Sequence, residues 1–487
     1  MLNCIGIKPL RYIRHLAYNR RKGECNKSNE VWKMANEKEK EVSQKEVDLK
    51  EKSEDTAEKK GRWRKKRSGE LWFMFYYERI SHDIKSFVKW TALAILTGLV
   101  VGGASGIFAG CISAATKYRN SHLKIFLLLP FAGMLIVFMY KKLGSQDGGT
   151  NQVLSTIKSK DNVPFISAPL IFISTLLTHL TGGSAGREGA SIQFGGSIGN
   201  WLAKLVHLDE FDHHVMVMCG MSAAFAAVFG TPMAAAVFAM EVVSVGVMYY
   251  AALFPCVIAS IIAAEFATGM GVDPETFPVA RIPKLTIETG LKMGLIAVCC
   301  AVLSILFCLM LRMTGKIYEK YLKNPYLRIF VAGVIVIGLT TLLGTKDYMG
   351  AGNELIAKAI EYGQARPLDF FWKMLLTAIT MRAGYRGGEI VPAFCIGATF
   401  GCVAGNFLGI APEVAAAAGM VAMFCGVTNC PITSMLISFE LFGFTGVAYY
   451  LIAISISYAL SGYYSLYKDQ TIVYSKYKAR YINRKTR

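Results

Sequence analysis

The chain predicts an all-α polytopic membrane protein, and three observations carry that prediction. Of its 487 residues, 53% are hydrophobic and only 18% charged, against about 25% charged in ordinary soluble proteins. The charges crowd into one end: residues 1–90 hold 23 Lys+Arg and 14 Asp+Glu, leaving 30 and 20 for the other 397. The remainder contains long stretches with no Asp, Glu, Lys or Arg at all: Thr91–Thr116, Asn162–Gly186, Val242–Ala264 and Leu441–Tyr467. Each is long enough for a helix to cross a ~30 Å hydrocarbon core, which takes about 20 residues. A water-soluble globule needs its charges spread over its surface, so this distribution excludes one.

Taken in order, the first ninety residues are the charged part. Lys38–Arg67 is rich in Lys, Glu and Ser and poor in aromatics, the composition of a solvated helix or a disordered segment. It closes on Arg62, Arg64, Lys65, Lys66 and Arg67, just before the amphipathic Leu71–Tyr77. Residues 1–85 are therefore expected to form a charged, partly disordered cytoplasmic segment. The first uncharged stretch starts too far in to be a cleavable signal peptide. The tail, residues 468–487, is basic as well, with Lys468, Lys476, Lys478 and Arg480 among its cations. The positive-inside rule then puts both termini on the cytoplasmic side. The net charge of +19 reads as topology and contact with anionic membrane lipid, not nucleic-acid binding, because the basic runs flank membrane segments.

Shorter uncharged stretches, Ile125–Tyr140, Met293–Leu311 and Ile329–Thr345, fit tilted or short spans. Gly and Ala pervade them all, as close helix contact in lipid favours. The twelve Cys are scattered, with no CxxC pair, and read as small apolar fillers rather than a disulfide framework or metal site. His207, His213 and His214 flank Asp209, Glu210 and Asp212 in what reads as a connecting loop.

The membrane part is duplicated. Gly220–Val242 matches Gly419–Leu441 without gaps at an offset of 199, with Gly220/Gly419, Phe225/Phe424, Pro232/Pro431 and Glu241/Glu440 identical. The same offset sets Arg187 on Arg386. Two halves, residues 86–285 and 286–467, are expected, forming inverted-topology repeats with broken and re-entrant helices if each has an odd number of spans. Such folds place their substrate at the midplane, where helix N-termini point at an anion. Glu241 and Glu440, at the ends of the repeated helices, fit a structural pairing of helix ends or a dimer contact.

Gly-rich breaks lie at corresponding places in both halves. Gly182–Ala190, GGSAGREGA, allows an unwound turn followed by a helix start with free N–H donors. It holds Arg187 and Glu188 within an otherwise uncharged region, where ionisable groups default to function. His179, just before it, reads as a buried hydrogen-bonded side chain. Gly384–Pro392, GYRGGEIVP, is the counterpart, with Pro392 suited to a first helical turn. A third, Gly144–Gln152, offers Ser145, Thr150 and Asn151 as polar or capping groups.

GSAGREGA resembles the GREGP-type motif of the CLC chloride channel and transporter family. GGEIVPAFCIGATFG is similar to its GxFxP stretch, GGTNQ lies where the family carries GSGIP, and TIVYSKYKAR resembles the segment bearing the pore tyrosine. The resemblance covers about residues 88–481. It implies a homodimer with one pore per subunit, no cofactor, and interface helices around Gly220–Val242 and Gly419–Leu441. It makes Glu188 the gate, a carboxylate that competes with the anion for the helix N-terminus and swings aside when protonated. Arg187, Gly189, Gly149, Thr150, Glu389, Ile390, Val391 and Tyr474 would line the anion path. The coordinating serine of GSGIP is missing, with Gly149 nearest its place, and Glu389 stands where chloride-type members are apolar. Both departures resemble the family's fluoride-exporting branch, although Val391 replaces that branch's Thr. Val242 stands where exchangers carry an inner proton-relay glutamate. The implied function is chloride or fluoride transport, as proton antiport through Glu188. A passive chloride-selective channel is the alternative, and a membrane enzyme lacks any supporting Ser/His/Asp, metal or P-loop pattern.

Overall fold

A computed structural model describes residues 64–144, 149–158, 163–478 and 480–486. The expected charged segment up to residue 63, and Ser145 of the third break, lie outside those residues. The chain divides into two units, Met1–Ser86 and Phe87–Arg487, and apart from the start of the helix that runs across their boundary, all that follows lies in the second.

Sixteen α-helices are described, and they fall into two runs of eight in the same order. The first run is α1 (Arg64–Ser121), α2 (Leu129–Lys142), α3 (Thr150–Lys158), α4 (Ser167–Leu180), α5 (Glu188–Leu205), α6 (Glu210–Phe229), α7 (Pro232–Glu241) and α8 (Leu253–Gly269). The second is α9 (Ile287–Tyr321), α10 (Pro325–Leu342), α11 (Asn353–Glu361), α12 (Asp369–Ala383), α13 (Ile390–Leu408), α14 (Pro412–Thr428), α15 (Pro431–Phe442) and α16 (Val447–Leu460). The duplication read from one stretch of sequence thus extends over the whole membrane region.

Among the described residues, seven helices are long and apolar enough to cross a membrane by length and composition. The three shorter uncharged stretches all fall within that set, at Lys124–Lys142, Ile287–Tyr321 and Pro325–Leu342. Two of the longest uncharged stretches do not. Asn162–Gly186 holds the 14-residue α4 and then breaks, and Leu441–Tyr467 holds the 14-residue α16. Absence of charge counts residues that can lie in lipid, but not those that stay helical. Gly182, at φ 82°, ends the first of these helices early, as a left-handed glycine does.

Helix contact depends on glycine at matched places. An ideal Cβ on Gly195 of α5 would lie 2.2 Å from the Gly220 carbonyl of α6, and one on Gly397 of α13 2.3 Å from that of Gly419 on α14. Only hydrogen fits there, so each pair packs backbone on backbone. A run of buried rings, Phe225–Phe238–Phe424–Phe394–Phe229, with centroids 5.0 to 6.1 Å apart, fills the space between the halves.

The starts of α7 and α15 show the two-fold relation most directly. Both begin with Pro, and neither Thr231 nor Cys430 caps its helix by a side chain. Their N–H donors are satisfied across the repeat instead. Glu440 accepts from Met233 and Ala234 at 2.8 and 2.9 Å, and Glu241 accepts from Ile432 and Thr433 at 3.1 and 2.8 Å. The two glutamates therefore exchange helix caps, the helix-end pairing expected of them.

The chain is not wholly helical. Strand β1 (Ser244–Val245) pairs in parallel with β2 (Thr471–Tyr474), which pairs antiparallel with β3 (Tyr481–Lys485). Buried Gln470 locks this tail in place by donating to the Val242 and Thr428 carbonyls at 3.0 and 2.7 Å. The basic tail is thus a small ribbon held at the ends of α7 and α14.

Candidate functional site

The two Gly-rich breaks meet. Gly186 and Gly388 form an isolated antiparallel bridge, each N–H donating to the other's carbonyl at 2.8 and 2.7 Å. Counted from the helix starts Glu188 and Ile390 the two glycines are equivalent, at an offset of 202 rather than the 199 that set Arg187 on Arg386, and their chain directions are opposed, as inverted repeats require. The approach tolerates no side chain: an ideal Cβ on Gly388 would lie 2.4 Å from the Gly189 nitrogen, and one on Gly189 2.8 Å from the Gly388 Cα. The starts of α5 and α13 are brought together by this contact, and with them their free N–H donors.

At the start of α5, Glu188 is wholly buried. Its Oε2 accepts from the Arg187 N–H at 3.0 Å, so the carboxylate folds back over its own helix N-terminus. Helix N-termini attract anions, and here the anion is the chain's own. Oε1 lies 3.5 Å from Arg187 Nε but accepts no hydrogen bond among the described residues. The position of an added Cβ on Gly186 would be 2.9 Å from Glu188 Oε2 and 3.0 Å from Pro392 Cδ. The carboxylate and the first turn of α13 thus flank the same glycine.

The start of α13 is built differently. Ile390 and Val391 are buried and supply backbone donors without competing side chains. Pro392 has no N–H to offer. Glu389 occupies the N-cap but makes no cap hydrogen bond. Its carboxylate turns instead toward Arg382 of α12, Oε1 to Nη2 3.7 Å. Arg386 stacks its guanidinium on Tyr140, 4.5 Å from the ring centroid.

Thr150 opens α3 and donates its hydroxyl to the Gly189 carbonyl at 3.2 Å, so the third break does reach the start of α5. Gly149, before it, takes φ 60°. Tyr474 lies on β2, 47% exposed, with its ring against Tyr481; sequence likeness assigned a helix there, whereas the chain pairs as a strand. Tyr467, seven residues earlier, is buried, its hydroxyl has no partner among the described residues, and its ring packs against Phe238.

A cavity of about 970 Å³ opens beside the first break, lined among others by Arg119, His179, Arg187, Glu275 and Asn353. Arg187 reaches into it, donating from Nη2 to the Val228 carbonyl at 3.2 Å and to Glu275 Oε1 at 3.0 Å. Asn353 also donates to Glu275 Oε1, at 2.8 Å. His179 is buried, but its Nε2 has no hydrogen-bond partner among the described residues, where the sequence suggested a hydrogen-bonded ring. Neither Glu275 nor Arg382 sits in a motif. Nothing in the sequence singles them out beyond being charged residues near membrane segments.

Residues 132–462 match the family model described as Voltage gated chloride channel. The chain is 33% identical over 397 residues to a chloride/fluoride channel protein of Pseudomonas syringae pv. tomato, covering 80% of this chain and 88% of that protein. It is 24% identical over 381 residues to an H(+)/Cl(-) exchange transporter ClcA of Vibrio cholerae, covering 72% and 81%. Among solved structures it is similar to a CLC-type fluoride/proton antiporter, with TM-score 0.75 and 30% identity over 79% of this chain and 98% of that one. A cyanobacterial Cl-/H+ antiporter shares the fold, with TM-score 0.67 and 18% identity over 76% and 94%. The chain belongs to the voltage gated chloride channel family and is an integral membrane protein.

Proposed function

We propose that this voltage gated chloride channel family member is a halide/proton antiporter gated by Glu188, with fluoride the preferred halide. The observation that carries the reading is the Glu188 carboxylate, wholly buried and seated on its own helix N-terminus with Oε1 free of donors. A seat that binds a carboxylate also suits a halide, since both are satisfied by N–H donors and the helix dipole. Protonation removes the charge that holds Glu188 there and vacates the seat. The carboxylate and the halide then exclude one another at one place, so each exchange of the seat goes with a change in the protonation of Glu188, which antiport requires and a passive channel does not.

In this reading Gly189, Ile390 and Val391 offer backbone donors to the anion, and Arg187 holds the gate. Gly149 and Thr150 shape the path where other members use a serine. Glu389 is the fluoride-selective element: a protonated carboxyl donates a hydrogen bond, and fluoride, the smallest halide, accepts one most strongly. The likeness to a fluoride/proton antiporter at 30% identity supports fluoride over chloride; the Pseudomonas relative's name carries both ions. We assign to Tyr467 the hydroxyl contact that likeness alone gave to Tyr474. The functional unit is proposed to be a homodimer in the cell membrane, with both termini cytoplasmic.

Purified protein in lipid vesicles tests the reading. Fluoride efflux is expected to exceed chloride efflux, and E389A to erase most of that difference. Equal efflux of the two ions, unchanged by E389A, would remove the fluoride preference; no efflux above empty vesicles would remove the transport reading altogether.

A further inference from the structure

We propose that Glu275 is the cavity-side proton acceptor that loads Glu188, an assignment that rests on the antiport reading above. The problem it solves is one of access. Glu188 is wholly buried and does not line the cavity beside it, whereas Glu275 does line it, with 17% of its side chain accessible. A proton from water therefore meets Glu275 first.

One guanidinium joins the two carboxylates. Arg187 presents Nε to Glu188 Oε1 at 3.5 Å and Nη2 to Glu275 Oε1 at 3.0 Å. Two carboxylates against one guanidinium leave one negative charge in excess. A single proton cancels it. Whichever of the two holds it, Arg187 still faces one anion, so passing the proton between them leaves the net charge unchanged.

The transfer is balanced without any further reactant. A hydronium ion in the cavity gives its proton to the Glu275 carboxylate, which becomes a neutral acid. That acid passes the proton to the Glu188 carboxylate, which faces the same guanidinium, and returns to its anionic form, taking over Arg187. Neutral Glu188 no longer competes for the helix N-terminus and leaves it to the halide.

Glu275 is placed for this and held there. It lies in the segment between α8 and α9 that joins the two halves. Its N–H donates to the Phe229 carbonyl at 3.3 Å, and Asn353 of α11 donates to its Oε1 at 2.8 Å. Other charged or titratable groups face the same cavity: Lys117 and Arg119 from α1, His179 from α4, Asp273 from its own segment, Lys346 and Asp347 from the loop after α10, and Glu354 from α11. Asp347 is taken by Arg366, at 2.7 Å. Among the described carboxylates of the cavity, Glu275 is the one that shares a donor with Glu188.

The test compares wild type, E275Q and E275D in vesicles, following halide efflux and the accompanying movement of protons over a range of pH. E275Q is expected to slow proton-coupled efflux several-fold near neutral pH. Acidifying the solutions should restore it, because a higher hydronium concentration protonates Glu188 without an intermediary. E275D, which keeps the carboxylate, should retain most of the coupled flux. A loss in E275Q that acid does not relieve would mean that Glu275 only holds Arg187 in place, and would overturn the assignment, as would an E275Q whose rate and pH profile match wild type. Coupled efflux in wild type beside an unaltered E275Q removes this assignment alone. Halide efflux without proton movement in wild type removes the antiport reading and this assignment together.

Discussion

The two helix starts that meet at the Gly186–Gly388 bridge come from equivalent places in a duplicated chain, yet they are finished in opposite ways. At α5 a carboxylate one residue into the helix covers the N-terminus, and its partner cation, Arg187, is the residue before it. At α13 the first two helical residues are apolar, the carboxylate stands one position earlier, and it turns away toward Arg382. Duplication supplied two helix starts with free N–H donors, and divergence laid a carboxylate over one and none over the other. In the proposed antiport that inequality matters, because two starts covered alike would admit the anion to both or to neither.

The comparison depends first on the two starts touching, and the largest effect should follow from separating them. G388A sets a Cβ 2.4 Å from the Gly189 nitrogen, a backbone clash that no rotamer relieves. Overpacking of this kind costs about 1–3 kcal/mol or more. Loss of halide efflux with a lowered Tm is expected, while G110A, where nothing lies within 4 Å, serves as control and should behave as wild type. Full activity in G388A would show that the bridge does not shape the path.

Next come the exchanged caps of α7 and α15, which express the same duplication in a nearly symmetric form. E241A strips acceptors from the Ile432 and Thr433 amides and the Thr433 hydroxyl, and Thr433 is buried. E440A strips them from Met233, half exposed like Ile432, and from Ala234, buried like Thr433, with no hydroxyl involved. Each buried unsatisfied donor costs about 1–3 kcal/mol, so E241A, which also strands the Thr433 hydroxyl, should lower Tm more than E440A does. The reverse order would show that this extra hydrogen bond does not strengthen the cap.

The smallest effect concerns the tyrosines near α13. Y467F removes a buried hydroxyl that has no partner among the described residues, and a few-fold loss of halide efflux is expected. Y474F should leave efflux as it is. A selective loss in Y474F would restore the residue that sequence likeness favoured.

Much of this architecture was legible before any coordinates. Absence of charge located the membrane region, and the match of Pro232 and Glu241 to Pro431 and Glu440 revealed the duplication. Arg187 and Glu188 stood out because ionisable residues are expensive in lipid. What could not be read has a common cause. Helix breaks such as the one after Leu180 cost no polar residue, so an uncharged stretch looked like a full span. The β2–β3 ribbon is set by pairing with Ser244–Val245, more than two hundred residues away, which local pattern does not register. Glu275 and Arg382 owe their roles to neighbours supplied by other helices, and no spacing along the chain announces them.

The central claim is that one carboxylate on one helix start couples the proton to the anion. Its most direct test is the pH inside fluoride-loaded vesicles during efflux, for wild type and E188Q. Wild type should move protons in step with fluoride; E188Q should release fluoride without a matching proton flux. Proton movement that stays coupled to fluoride in E188Q would contradict the account.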